Sequence, residues 1–328
     1  MRQTQIYDPK LNYAVHKYLM VTNPHESLRL LAGLGEDVSE ICVVGANGWF
    51  GITTLNLLNN IGFKMEKVTA IVRHKPADNL WPAAQIRVVS FNEIEKYRVA
   101  GNSMIINCTG MNRHQIKSMG AFTYLHKTKM LRESIQLFLL QNSESPSIHF
   151  SSGARIKFEN TQDLYAQDKI LFENMLDSIK KSVKCIVTAR VWSVSGGYLN
   201  DPEQYMFSSF VKKAIQNQKI EIQNLNTFRK YVGIDEVIAL TLRQASSSQS
   251  ILFDTTGILT DPLNLAKELD CTYSVARNSP QITDSYYSES KVMLDLFHKY
   301  DYSPMDIKGQ IDVVKKLFIS RGFMHAKL

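Results

Sequence analysis

Val43-Val44-Gly45-Ala46-Asn47-Gly48-Trp49-Phe50-Gly51 is the stretch on which the reading of this chain turns. It follows a short apolar run, Ile41 to Val44, and opens a helix-like segment that ends near Gly62. A strand, a tight glycine turn and a helix N-terminus in that order form an anion-binding device. Unpaired backbone N–H groups and the positive end of the helix dipole point at the same place. In such a unit Gly45 allows the tight turn, Gly48 the close approach of a pyrophosphate, and Gly51 the close packing of helix on strand. The spacing is G-x-x-G-x-x-G, not G-x-G-x-x-G. Taken alone it also suits a strand ended by glycines for steric reasons.

Outward from this turn, apolar runs read as strands at 41–44, 68–72, 86–89, 104–108, 147–150 and 184–189. Helical stretches at 50–61, 122–141 and 162–181 lie between several of them. Short buried strands alternating with helices predict an α/β, Rossmann-type, doubly wound parallel sheet with helices on both faces. Residues 1–38 precede it as an N-terminal extension, in which Asn23-Pro24 starts a helix over Ser27 to Leu34. The sheet domain is assigned to 39–190. After that the regularity breaks, and 191–328 reads as a mixed region that includes a smaller substrate-binding lobe, with a helix at 203–216 and strands at 219–223 and 251–253. The stretches 288–300 and 308–321 look helical.

The chain has 328 residues, 44% hydrophobic and 21% charged, as in an ordinary globular protein. Its formal net charge of +7 suits a polyanion, but the Lys and Arg are dispersed and form no dominant run. A nucleotide's phosphates need only a few of them, so nucleic acid is not the expected partner. Cys42, Cys108, Cys185 and Cys271 form no C-x-x-C pair, and neither a disulfide framework nor a metal site is suggested. No signal-like N-terminus and no apolar run of membrane-spanning length is seen, so the cytoplasm is the expected compartment.

Two further signals bear on chemistry. The strand Val68 to Val72 ends in Arg73-His74-Lys75, with no acid until Asp78. An acid at that place binds the ribose 2′-hydroxyl of NAD and a basic residue the 2′-phosphate of NADP, so NADP is favoured, with Arg73 on the phosphate and NAD as the alternative. Tyr165 and Lys169 fall at i and i+4 on one helix and project from one face. A free phenol is a poor base at neutral pH, and a neighbouring ammonium favours its ionised form. Such a pair can move a proton at a carbinol or carbonyl while a nicotinamide moves the hydride. Ile148-His149-Phe150-Ser151-Ser152-Gly153 supplies a hydroxyl at a strand end just upstream.

With these motifs in order, the chain resembles the extended short-chain dehydrogenase/reductases of the NAD-dependent epimerase/dehydratase kind, over roughly residues 40 to 320. Ile105-Ile106-Asn107-Cys108-Thr109-Gly110, Phe150-Ser151-Ser152-Gly153-Ala154, Ala189-Arg190-Val191-Trp192-Ser193-Val194-Ser195-Gly196 and Phe228-Arg229-Lys230-Tyr231-Val232-Gly233-Ile234-Asp235-Glu236-Val237 carry the resemblance besides the glycine turn and the Tyr/Lys pair. It implies catalysis by Tyr165, Lys169 and Ser152. It implies cofactor contacts from Gly45, Asn47, Gly48, Trp49, Phe50, Gly51, Arg73, Cys108, Thr109, Gly110, Tyr165, Lys169 and Val191, and substrate contacts from Ser151, Ser152, Ser193 and Arg229, the last on a nucleotide diphosphate. One residue of register would exchange Ser152 for Ser151.

The departures from the family narrow the reaction. Family dehydratases place an acidic pair after the serine or threonine; here Gly153 and Ala154 follow, which disfavours dehydration. A nucleotide-sugar epimerase or 4-keto reductase is the expectation, with a role in surface polysaccharide synthesis. Ser193 replaces an Asn, Gly233 a His and Tyr124 an Asn of the family pattern, and the acid after the third strand is absent. A non-catalytic NADP-binding sensor and a reductase of another small carbonyl stay open. In the family, the helix matching 122–141 and the one bearing Tyr165 form a four-helix dimer interface, so a homodimer is expected. Phe122, Leu125, Ile135, Phe138 and Leu139 suit that interface or an ordinary core.

Overall fold

The computed structural model describes residues 30–31, 34, 38–74, 80–82, 85–277, 280 and 282–323. Most of the expected N-terminal extension and its helix, together with Lys75 and Asp78, lie outside the described residues. Leu30 and Leu31 are described, and both are buried in the core.

Strand β1 (Glu40–Val44) leads through the glycine turn into α1 (Trp49–Asn60), and β2 (Val68–Val72) and β3 (Arg87–Ser90) follow. Next come β4 (Ser103–Asn107), α2 (Arg113–Met119), the long α3 (Ala121–Gln141), β5 (Ser147–Ser152), the one-turn α4 (Ala154–Lys157), α5 (Leu164–Ile179) and β6 (Ile186–Val191). Beyond these lie β7 (Val194–Ser195), α6 (Met206–Ile215), β8 (Ile220–Ile222), β9 (Thr227–Gly233), α7 (Ile234–Ser246) and β10 (Ile251–Asp254). The chain continues through β11 (Ile258–Thr260), α8 (Pro262–Glu268), β12 (Tyr273–Val275), β13 (Asp284–Tyr286), α9 (Val292–Lys299) and α10 (Ile307–Ser320).

The main sheet has seven strands in the order β10-β6-β5-β4-β1-β2-β3, every neighbouring pair parallel. Side chains alternate across a strand, so β1 feeds two cores. Ile41 and Val43 join the layer that includes residues of α1 and α7, whereas Cys42 and Val44 join Ile135, Phe138 and Leu139 of α3 and Phe172, Met175 and Leu176 of α5. Helices on both faces explain why β1, β2 and β4 are buried along their whole length, with near-continuous apolar sequence. The strand order reverses between β1 and β4, which opens a crevice at their C-terminal ends, the usual ligand position of such sheets.

One expectation is corrected. The stretch 251–253 was placed in the smaller lobe, but Ile251–Asp254 pairs with β6 at the edge of the main sheet. A four-residue apolar strand does not specify its sheet. The preceding α7 decides it, because its buried face of Val237, Ile238 and Leu240 packs over α1, β5 and β6 and delivers the chain to that edge. The smaller lobe keeps the sheet of β9, β11, β13 and β7, the β8–β12 pair, and a core of Phe207, Phe210, Ile220, Tyr231, Leu265, Ile311 and Phe318. Trp49, just after the glycine turn, packs against both the sheet core and this lobe core.

Candidate active site

The glycine turn adopts the conformation that the sequence predicts. Gly45 has φ +80°, and a Cβ there would lie 3.0 Å from the backbone of Cys108 and Thr109. A Cβ on Gly51 would lie 2.4 Å from the Gly45 carbonyl oxygen and 2.6 Å from Ala46 Cα. Gly48 is different: its nearest neighbours would be at 3.4 and 3.8 Å, ordinary contact. Gly48 is also the N-cap of α1, with no capping side chain and no acid in the first turn. The first N–H groups of the helix therefore lack side-chain acceptors. Asn47 donates to the His74 carbonyl at 2.6 Å, while its buried Oδ1 has no partner among the described residues. A glycine cradle and helix N–H groups without side-chain acceptors fit a dinucleotide phosphate, whereas Asn47 Oδ1, an acceptor, suits a hydroxyl donor such as a ribose. Phe50 stacks on Phe150 with centroids 4.5 Å apart, and Trp49 on Tyr205 at 5.3 Å, so both rings anchor the turn to its surroundings. Arg73 ends β2 exposed, its guanidinium 5.8 Å from the Phe91 ring.

Across the crevice a buried polar ladder fixes the loop after β4. His149 Nε2 lies 3.0 Å from Ser147 Oγ, and its Nδ1 3.3 Å from the Asn107 amide. Asn107 Oδ1 in turn accepts from Thr109 Oγ1 at 2.6 Å and Thr109 N–H at 3.1 Å. Burial lowers the His149 pKa to about 3, so the ring is neutral. The acceptor role of Nδ1 is assigned from this network. Cys108, whose thiol burial raises to about 12, donates its N–H to the Val44 carbonyl at 2.8 Å and acts as a packing group.

Helix α5 starts at Asp163, which caps it by accepting Ala166 N–H at 2.7 Å. Tyr165 and Lys169 follow within the first two turns. Lys169 is buried, its Nζ 5.3 Å from the Tyr165 ring centroid and 3.4 Å from the point where Gly110 would carry a Cβ. A Cβ on Gly110 would meet that ammonium in ordinary van der Waals contact. Asp168 lies 3.8 Å from Lys169 Nζ but is held by Arg132 of α3, an ion pair buried between the two helices. Tyr165 also neighbours the Arg113 guanidinium, 5.6 Å from its ring centroid. Tyr124, on α3, is fully buried, its hydroxyl without a partner among the described residues, and burial pushes its pKa up.

The two serines have separate roles. Ser151 donates to Glu173 at 2.7 Å, and Glu173 is clamped by Arg190 at 2.7 Å and Arg155 at 2.8 Å. Ser152 instead lies 3.1 Å from the Tyr286 hydroxyl and accepts Ala154 N–H at 3.2 Å. Gly153 is forced by its neighbour: a Cβ there would lie 2.1 Å from the Trp192 ring. Trp192 stacks on Tyr286 at 5.0 Å and donates its Nε1–H to Asp254 at 2.8 Å, so it walls the site and is only partly core. Ser193 bonds the Tyr286 carbonyl at 3.3 Å, and Val191 ends β6 opposite Ser152.

Arg229, on β9, is already partnered. It donates to Asp284 Oδ2 at 2.6 Å and to the Asp284 carbonyl at 2.7 Å, and Lys157 reaches Asp284 Oδ1 at 3.0 Å. Burial works against the Asp284 charge, but the Arg229 and Lys157 bonds outweigh it and hold the carboxyl below its ordinary range. Asp284, Tyr286, Lys157 and Arg113 were not singled out from the sequence. Each is an ordinary polar residue without motif spacing, and only β13 pairing with β9 brings two of them here.

No protein-family model and no curated protein matches the chain. Solved structures do, with the same fold. UDP-glucose 4-epimerase from Brucella ovis in complex with NAD aligns with TM-score 0.67 and 15% identity, over 86% of this chain and 98% of that one. Another UDP-glucose 4-epimerase gives TM-score 0.71 and 12% identity over 88% and 100%. UDP-N-acetylglucosamine 4-epimerase from Methanobrevibacter ruminantium, in complex with UDP-N-acetylmuramic acid, gives 0.67 and 16% over 87% and 99%. The fold is thus the one on which NAD-dependent nucleotide-sugar epimerases are built. Among the described residues no helix is long and apolar enough to cross a membrane.

Proposed function

We propose that this chain is an NAD(P)-dependent enzyme of a nucleotide-diphosphate sugar, an epimerase or a 4-keto reductase. The observation that carries the reading is the Lys169 ammonium, buried next to Gly110 in the loop after β4 and beside Tyr165. The neighbours of this fold that bind NAD and UDP-sugars support it. Gly48 and the first N–H groups of α1 would meet the cofactor's pyrophosphate, with Gly45 and Gly51 shaping the turn, and Thr109, Gly110 and Lys169 would meet its inner ribose. When bound, the nicotinamide supplies or accepts the hydride. Tyr165 moves the proton at the sugar oxygen, Lys169 holds its ammonium beside that ring, and Ser152 holds the oxygen. Arg73 at the end of β2 supports NADP over NAD. Gly153 and Ala154, which transfer no protons, support redox at one carbon over dehydration.

Phe122 is 85% exposed, and Leu125, Met130, Leu137 and Leu171 are exposed on the same helix pair, α3 and α5. Such an apolar face supports a homodimer. Ile135, Phe138 and Leu139 of α3 are core. We assign the protein to the cytoplasm and to surface polysaccharide synthesis on the same resemblance. A non-catalytic NADP-binding sensor has one observation in its favour: β13 already partners Ser152 and Arg229.

Native mass spectrometry with NAD, NADP and a panel of UDP-, GDP-, CDP- and dTDP-sugars tests the reading, followed by turnover assays on whatever binds. Tyr165→Phe is expected to abolish turnover while keeping the cofactor bound. Undiminished turnover in that variant removes Tyr165 from the mechanism, and a wild type that binds cofactor but turns over none of the sugars favours the sensor.

A further inference from the structure

A hydroxyl carries one proton and two lone pairs. Among the described residues Ser152 Oγ has two partners, Ala154 N–H at 3.2 Å and the Tyr286 hydroxyl at 3.1 Å. The first of these contacts can only be accepted, because an amide N–H donates. If Ser152 gave its proton to Tyr286, it would have none left for a substrate oxygen. If Tyr286 donates, both serine lone pairs are filled and the single Ser152 proton is left for a third partner in the crevice. Tyr286 is held in place for this. Its carbonyl accepts from Ser193 Oγ at 3.3 Å, its ring stacks on Trp192 at 5.0 Å, and Lys157 and Arg229 lie 5.5 and 5.7 Å from its centroid.

We propose that Tyr286 is a positioning residue for the reaction: by donating to Ser152 it aims the serine proton at the sugar oxygen on which Tyr165 acts. This deepens the function proposed above and rests on it. Burial pushes the Tyr286 phenol up to about 12, against the Ser152 bond, so it keeps the proton it must donate. No bond is made or broken by Tyr286 itself. The residue is distant in sequence from Ser152, and the pairing of β13 with β9 supplies it.

The test is a double-mutant cycle of Tyr286→Phe and Ser152→Ala on the cofactor-loaded protein. Its substrates are UDP-glucose, UDP-galactose and UDP-N-acetylglucosamine. Tyr286→Phe keeps the ring and its stacking, and is expected to lower kcat about tenfold with KM little changed, the signature of an interaction made mainly in the transition state. In the Ser152→Ala background the same substitution is expected to cost nothing further. A fluorinated tyrosine at position 286 is a more acidic phenol, so the fall of kcat at high pH is expected to begin at lower pH. The charged and titratable neighbours Arg113, Lys157, Arg229, Asp284 and Tyr165 are left intact in that experiment. Equal losses in both backgrounds, an unmoved pH profile, or faster turnover in Tyr286→Phe would each overturn the proposal. An active wild type whose Tyr286→Phe variant is unaffected refutes only this inference. A wild type inactive on every sugar refutes the proposed reaction and this inference together.

Discussion

The three glycines of the turn are expected to separate folding from binding. At Gly51 a methyl group would sit 2.4 Å from a carbonyl oxygen and 2.6 Å from Ala46 Cα, both backbone atoms that cannot swing away. Overpacking of that kind costs about 1–3 kcal/mol. For a domain of this size each kcal/mol lowers Tm by about 2–4 °C, so Gly51→Ala is expected to melt several degrees early. Gly45→Ala adds a left-handed φ of +80° to contacts at 3.0 Å and is expected to behave similarly. Gly48→Ala meets nothing closer than 3.4 Å, so its Tm without ligand is expected to stay near that of the wild type. On the proposed reading Gly48 is where the pyrophosphate approaches, so the loss is expected in binding. Differential scanning fluorimetry with and without NAD and NADP reads both effects. Saturation at about 100 Kd stabilises a binding protein by about 2.7 kcal/mol, a shift of several degrees that Gly48→Ala is expected to lack. A Gly48→Ala variant that keeps the full cofactor-induced shift would refute the assignment of this turn as the phosphate site.

Other outcomes follow from the buried polar groups. Glu173→Gln removes the carboxylate clamped by Arg190 and Arg155 and leaves them the more distant Asp254, at 3.9 Å, and Glu159, at 3.7 Å. A loss of about 3–5 kcal/mol is expected in urea unfolding, and a loss below about 1 kcal/mol would show that water replaces the clamp. His149 is neutral in the folded chain with a pKa of about 3, while the unfolded chain protonates near the ordinary histidine value of 6.5. Between those values the unfolded state binds more protons, so stability is expected to fall as pH drops below 6.5, by about 1.4 kcal/mol per unit. Urea curves at pH 7, 6 and 5 for wild type and His149→Gln check this. Curves that shift in parallel would remove His149 from the acid response.

Much of the frame was legible because it is written in local periodicity. The strand Ile41 to Val44, the glycine turn and α1 are one continuous stretch, and each needs only its own neighbours to take shape. The face shared by Tyr165 and Lys169 follows from the helical repeat alone. Less was legible wherever a short segment had several possible partners. The four residues of β10 joined the main sheet because α7 delivered them there, a matter of which helix face found which strands. Ser151 and Ser152 are adjacent in sequence and equal in chemistry. The pleat sends one to Glu173 and the other to Tyr286.

The amino-acid order by itself determined the dinucleotide-type turn, the alternating layers and the Tyr/Lys face, because those depend on spacings of a few residues. Tertiary structure alone decided that Asp284 lies on Arg229, that Tyr286 lies on Ser152, and that Trp192 covers Gly153. Those contacts join segments far apart in the chain. They exist only after packing of the smaller lobe carries β13 over the ends of the parallel strands, and no local repeat specifies that approach.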